Sequence, residues 1–195
     1  MLNDEALDLI LRKARSHNAF SGEVTDAQLR ALWDLVKCGP TTGNSQPLRI
    51  LFLRSRGQKE RLRPHLSPSN VDKALNAPVT ALLAYDLAFY ELLPRFFPRN
   101  PAMRNVYAGD EKKAFTETTA LRNSSLQGGY FIVVARALGL DTGAMSGFNN
   151  AGVDQEFFAG TTLKSNFLCA LGKADWSKVH PRDPRLEFDE ACRIL

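Results

Sequence analysis

DEKKAFTETTALRNSSLQGGYFIVVARAL, running from Asp110 to Leu138, contains no proline. Its apolar residues widen from one stripe at Phe115 and Leu121 to nearly every face between Tyr130 and Ala137, the pattern of a long, centrally buried helix. Gly128 and Gly129 each weaken such a helix by roughly 1 kcal/mol relative to alanine. Close approach of another backbone at this pair would offset that cost.

Two apolar runs precede this helix, Arg49 to Arg54 and Thr80 to Asp86, and both read as strands covered on two faces. Short helices are expected between them at Lys59 to His65 and Asn70 to Asn76. Further back, Leu7, Ile10, Leu11 and Ala14 recur at helical spacing after Asp4, a capping residue, and predict a helix to about Arg15. Thr25 with Gln28 is a capping box opening a second helix whose inner face carries Leu29, Leu32, Trp33 and Val36, ended by Gly39 and Pro40. Phe89 to Asn100, with Pro94 and Pro98, suits an irregular excursion. Downstream we expect a short strand at Thr142 to Met145, a helix at Asn150 to Phe158, a strand at Asn166 to Leu171 and a last helical stretch from Glu187.

A chain of 195 residues with 44% hydrophobic residues can bury one core, so residues 1–195 read as a single domain. Cys38, Cys169 and Cys192 are odd in number and widely spaced, which suggests neither a disulfide framework nor a zinc site and implies a reducing compartment. Asp4, Glu5 and Asp8 occupy the place of a secretory signal's apolar run, and no stretch is long enough to span a bilayer. A cytoplasmic location with no membrane partner follows as the expectation. The net charge of +4 is carried by scattered lysines and arginines without a nucleic-acid motif, which points instead towards a small anionic ligand. His17, His65 and His180 lie far apart, so no metal site is expected.

Polar residues gather at the ends of the expected elements. Arg15, Ser16, His17 and Asn18 can hold a phosphate and the edge of a polar ring, or can equally cap a helix C-terminus. Gly39, Pro40, Thr41, Thr42, Gly43, Asn44, Ser45 and Gln46 form a loop able to offer main-chain N–H groups and short polar side chains to a flat heteroaromatic, or a plain connection. Asn70 and Lys73 stand one helical turn apart, as many exposed pairs do. Gly143, Ala144, Met145, Ser146, Gly147 and Phe148 include small residues at a strand end, leaving room for a ligand against the main chain or for a tight turn. Arg182 and Arg185 flank Pro184, with Glu187 and Asp189 as alternative ion-pair partners.

Taken in order, A-R-S-H-N, G-P-T-T-G-N-S-Q-P-x-R-I, A-P-V-T-A, E-T-x-x-L-R-N-S-S-x-Q, A-L-G-L-D-T-G-x-M-S-G-F, T-L-K-S-N and P-R-L-x-F-x-E-A-C resemble the nitroreductase-like flavoprotein family. The match is nearest to its malonic semialdehyde reductase branch, of pyrimidine degradation. The resemblance implies an α+β fold, with a central, mostly antiparallel sheet flanked by helices and the long helix at the interface of a homodimer. It implies FMN as cofactor, NADH or NADPH as hydride donor, and a small-molecule acceptor reduced by ping-pong hydride transfer through flavin N5. The acceptor would be malonic semialdehyde, giving 3-hydroxypropionate, or alternatively a range of nitroaromatics and quinones.

By the same resemblance Arg15, Ser16 and Arg185, joined by Arg182, grip the FMN phosphate, and His17 and Asn18 lie beside the ribityl chain or pyrimidine edge. Pro40, Thr41, Thr42 and Asn44 pack on the flavin. Asn70 and Lys73 meet the pyrimidine edge, where Lys73 would steady the negative charge of the reduced ring. Met145, Ser146 and Gly147 form the turn at N5. Many nitroreductases carry a second arginine where this chain has Asn18, whereas the semialdehyde reductase branch has His-Asn.

Overall fold

The computed structural model describes residues 1–195. In chain order the elements are α1 (Asp4–Leu7), β1 (Phe20–Ser21), α2 (Asp26–Val36), β2 (Leu48–Leu53), α3 (Arg56–Glu60), α4 (Pro68–Asn76), β3 (Val79–Asp86), α5 (Leu93–Phe96), α6 (Lys113–Ala137), β4 (Asp141–Met145), α7 (Asn150–Phe157), β5 (Leu163–Ala174) and α8 (Phe188–Ala191). The five strands make one antiparallel sheet: β3 lies between β2 and β5, and both β1 and β4 also pair with β5. This is the expected α+β architecture.

Strand β3 is buried along its whole length because its two faces serve two cores. Val79, Ala81 and Leu83 pack with Leu29, Leu32 and Val36 of α2 and with Phe131 and Ala135 of α6. Leu82 and Ala84 point the other way, towards Leu62, Leu66, Ala74 and Val153. A run of apolar residues without alternation is what burial on both faces requires. The same reading fails for β2, which is the sheet edge and leaves Leu51 exposed.

The Thr25/Gln28 capping box forms as expected, with both reciprocal hydrogen bonds. Trp33, expected on the inner face of α2, is exposed instead. At the N-terminus Asn3, rather than Asp4, caps α1 by accepting from the Ala6 N–H. A π-helical turn, Asp8–Arg12, then ends the helix before Arg15. The excursion after β3 is ordered by its own small core of Tyr85, Phe89, Leu93, Tyr107 and Ala120, and folds as short helical turns.

Helix α6 is as long as expected, but as far as Tyr130 it is turned with its apolar stripe outward. Phe115, Leu121, Leu126 and Tyr130 are exposed, while Thr116, Thr119, Asn123, Ser124 and Gln127 are buried. Asn123, Ser124 and Gln127 bond groups outside the helix. Asn123 Oδ1 accepts from Thr42 N at 2.8 Å, Gln127 Oε1 accepts from Leu48 N at 3.1 Å, and Ser124 Oγ accepts from Asn166 Nδ2 at 2.8 Å. Main-chain donors buried away from water need such partners. Gly128 makes room for a side chain, not for a backbone: a Cβ there would meet Phe167 Cε1 at 2.5 Å. Nothing lies within 4 Å of a Cβ placed on Gly129.

Candidate functional site

Three segments distant in sequence meet at Gly143 of β4. Ser16 forms a parallel bridge to Thr142, and His17 N donates to Thr142 O at 2.9 Å, so the chain leaving the first helix lies along β4. A Cβ on Gly143 would strike the His17 carbonyl oxygen and come within 3.2 Å of Lys73 Cδ. Glycine is what allows strand, N-terminal segment and α4 to approach this closely.

Lys73 is half-buried, and its Nζ makes no hydrogen bond or ion pair within the chain. Burial pushes its ammonium pKa below the ordinary lysine value. One turn earlier on α4, Asn70 Nδ2 donates to Gly147 O at 3.0 Å, and Ser67 N donates to the same oxygen at 3.0 Å. The turn after β4 is thereby tied to the start of α4. Met145 is buried in the core, while Ser146 is exposed beside Gly147.

Arginines surround the segment that carries Ser16. Arg15 Nη2 donates to His180 O at 2.6 Å, and Arg182 Nη2 donates to Arg12 O and Ala14 O at 2.8 Å each. The N- and C-terminal segments therefore clasp one another. Arg182 makes no ion pair with Glu187 or Asp189. Arg185 bonds only the carbonyls of Asp183 and Pro184 and is joined to none of the other candidates. His17 is 1% exposed, with its ring 4.7 Å from Trp176 and neither ring nitrogen hydrogen-bonded. Its Nε2 lies 3.6 Å from Asp141 Oδ1, which draws its pKa up, but burial outweighs this and holds the pKa below the ordinary value. Asn18 is exposed, and its backbone is not left-handed.

The loop Pro40 to Asn44 is bonded to other parts of the chain. Gly43, Asn44 and Gln46 all have positive φ, a run of conformations held by the Asn123 bond to Thr42 and by Asn44 Nδ2 donating to Phe96 O at 2.8 Å. Pro40 and Thr42 face solvent, and Thr41 Oγ1 accepts from Gln46 N. No hydrogen bond or ion pair links this loop to Lys73, Asn70 or Ser16. Within the chain no bond joins the loop to the residues around Ser16 and Lys73, and Arg185 is bonded to neither set.

Arg136 went unremarked in the sequence, and Asn123 and Gln127 entered only within the E-T-x-x-L-R-N-S-S-x-Q motif with no role given, because each acts across a long separation on main-chain groups. Arg136 Nη1 and Nη2 donate to Ile10 O and Arg15 O, and burial lowers the guanidinium's pKa. Among cations available for an acceptor's carboxylate, Arg104 is held by Glu91 through two 2.7 Å bonds and Lys164 lies 3.5 Å from Asp154. Arg95, Arg99 and Arg122 have no carboxylate partner.

A half-buried ammonium without an acceptor, and guanidiniums bonded to neutral carbonyls rather than to carboxylates, leave net positive charge around exposed Ser16. That donor-rich surface fits a ligand with a phosphate at one end and a hydrogen-bonding ring edge at the other.

The α+β architecture is the nitroreductase fold. A nitroreductase structure from Exiguobacterium sibiricum, solved in complex with FMN, superposes with a TM-score of 0.86 at 17% identity, covering 100% of this chain and 99% of that one. Another from Bacillus subtilis gives 0.85 at 20% identity over 99% and 100%. The Nitroreductase family model matches residues 11–173, and the chain belongs to that family. A relative from Cupriavidus pinatubonensis is 53% identical over 100% of both chains, and one from Ralstonia pickettii is 52% identical over 97% of both. Both carry the provisional name NADH dehydrogenase/NAD(P)H nitroreductase.

Proposed function

We propose that this chain is an FMN-dependent NAD(P)H oxidoreductase, working as a homodimer, that reduces malonic semialdehyde to 3-hydroxypropionate. The observation that carries the reading is the unpaired ammonium of Lys73, held half-buried on the same α4 face as Asn70 and beside the N-terminal segment. When bound, FMN supplies the two-electron hydride chemistry, so the protein's part is position and electrostatics.

Arg15, Ser16, Arg182 and Arg185 would hold the phosphate, with His17 and Asn18 alongside. Asn70 and the Met145, Ser146 and Gly147 turn would orient the ring edge. Lys73 would stabilise negative charge gathering on the ring in a site partly shielded from water. The Pro40, Thr41, Thr42 and Asn44 loop of a second subunit would complete the cradle, in keeping with the absence of any bond between that loop and Lys73, Asn70 or Ser16 within one chain. The exposed apolar face of α6, with Gly129 open beside Leu126 and Tyr130, supplies the surface on which two copies would pack. An acceptor carboxylate would be met by one of the unpaired guanidiniums Arg95, Arg99 or Arg122.

A second reading, a broad nitroaromatic and quinone reductase, is favoured by the names of the half-identical relatives. The test identifies the chromophore released from the purified protein. It then compares malonic semialdehyde, an uncharged aldehyde of similar size, a nitrofuran and a quinone with NADH and with NADPH. The semialdehyde should exceed the uncharged aldehyde in kcat/KM by at least about tenfold, roughly 1.4 kcal/mol of discrimination. Efficient turnover of the nitrofuran or quinone with the semialdehyde ignored would establish the second reading instead.

A further inference from the structure

The segment that presents Ser16 leaves the C-terminal end of a helix, where main-chain carbonyls gather and the local dipole is negative. That is the wrong end at which to seat a phosphate. Two guanidiniums oppose that field. Arg182 takes the carbonyls of Arg12 and Ala14, and Arg136, from the last turn of α6, takes those of Ile10 at 3.2 Å and Arg15 at 3.4 Å.

Arg136 makes no ion pair, and its Nε is buried without a partner. Its charge is therefore not cancelled by a bonded carboxylate. The titratable and charged groups around it are Cys169, Asp141, His17, Arg15 and Arg182, of which Asp141 is the one carboxylate, while burial keeps the Cys169 thiol from ionising. Asp141 Oδ2 already accepts from Ala174 N at 2.9 Å.

We infer that Arg136 is a positioning residue for the phosphate end of the cofactor site. It pins the Arg15 main chain, so that Arg15 and Ser16 are displayed together, and it neutralises the helix-end carbonyls that would repel an anion. This rests on the FMN reading above. Arg136 does not itself touch the ligand; it acts through the N-terminal segment. A purely structural arginine would support binding of any flavin equally, whereas Arg136 acts on the phosphate.

The experiment measures dissociation constants of FMN and of riboflavin, by flavin fluorescence, for the apoprotein and for Arg136→Gln and Arg136→Lys, each checked by circular dichroism. Arg136→Gln should weaken FMN by about tenfold or more and riboflavin by less than about twofold. Arg136→Lys, which keeps the charge but not the two-carbonyl geometry, should fall between wild type and Arg136→Gln. Equal weakening of both flavins, or weakening of neither, overturns the inference. Should Arg136→Gln not fold, the same FMN-to-riboflavin comparison on Arg136→Lys decides it. An unmodified protein that binds neither flavin would bring down the FMN reading itself.

Discussion

The side chain of Asn70 and the carbonyl of Gly147 are joined by a 3.0 Å hydrogen bond, and the space between them leaves no room for a methyl group: a Cβ on Gly147 would lie 2.7 Å from Asn70 Nδ2. Gly147→Ala should therefore destabilise the protein by about 1–3 kcal/mol through overpacking. Asn70→Ala alone should cost about 1 kcal/mol for the lost bond. The double variant should be less destabilised than the sum, because truncating Asn70 frees the space. Urea unfolding of all four proteins gives the coupling, and strict additivity would show that the two residues do not constrain one another.

Lys73 combines desolvation with the absence of any partner, so its charge is held at a cost to the fold. Lys73→Met should leave the melting temperature of the apoprotein unchanged or raised. Turnover should drop by about 10²-fold, the scale seen when a preorganised stabilising group is removed. Thermal melts and steady-state NAD(P)H oxidation read the two effects separately. A lower melting temperature with unchanged turnover would make Lys73 a structural residue.

His17 gives the fold a defined pH response. Its folded pKa lies below the unfolded value of about 6.5, because burial disfavours the imidazolium more than Asp141 favours it, with Arg15 and Arg136 adding repulsion. A group of this kind contributes stability fully above the unfolded pKa and loses it as pH falls through the folded pKa. The melting temperature should therefore drop more steeply between pH 7 and pH 5 in the wild type than in His17→Asn. Parallel slopes would place the acid sensitivity elsewhere.

Cys169 sits in the core on β5, and burial pushes its thiol up to about 12. Thiolate is the reactive species, so Cys169 should resist iodoacetamide at pH 8 in the native protein and react only after denaturation. Cys38 and Cys192 are exposed in the chain. Peptide mapping after native labelling checks this, and modified Cys169 under native conditions would mean that the core opens readily.

Leu126 and Tyr130 lie on the exposed face of α6. If this face joins two copies, Leu126→Glu should yield monomers by sedimentation at micromolar concentration and should release flavin along with the lost interface, since obligate interfaces are core-like. A wild-type monomer that retains FMN would contradict the dimeric site.

Much of the fold was legible locally. The Thr25/Gln28 box marked the start of α2, and the unbroken apolar run of β3 announced a strand covered on both faces, because capping and double-sided burial leave their marks within a few residues. The same rule overreached at β2: an edge strand and a central strand can share a composition, and strand order alone separates them.

The collinear motifs placed the chain in its family, and the resemblance gave Asn70 and Lys73 to the pyrimidine edge and Gly147 to the turn at N5. Their meeting at β4 is a matter of tertiary packing, decided by a glycine that lets three segments approach. On α6 apolar periodicity pointed the first half of the helix the wrong way. The side of the helix turned towards the chain meets the main-chain N–H groups of Thr42 and Leu48, which polar Asn123 and Gln127 satisfy, and the apolar stripe faces outward. Sequence by itself determined the helix, the strands and the inventory of charged side chains. Only the tertiary structure decided which side of that helix is inside and that Arg136 reaches back to Arg15, because hydrogen bonds to distant main chain carry no periodicity to read.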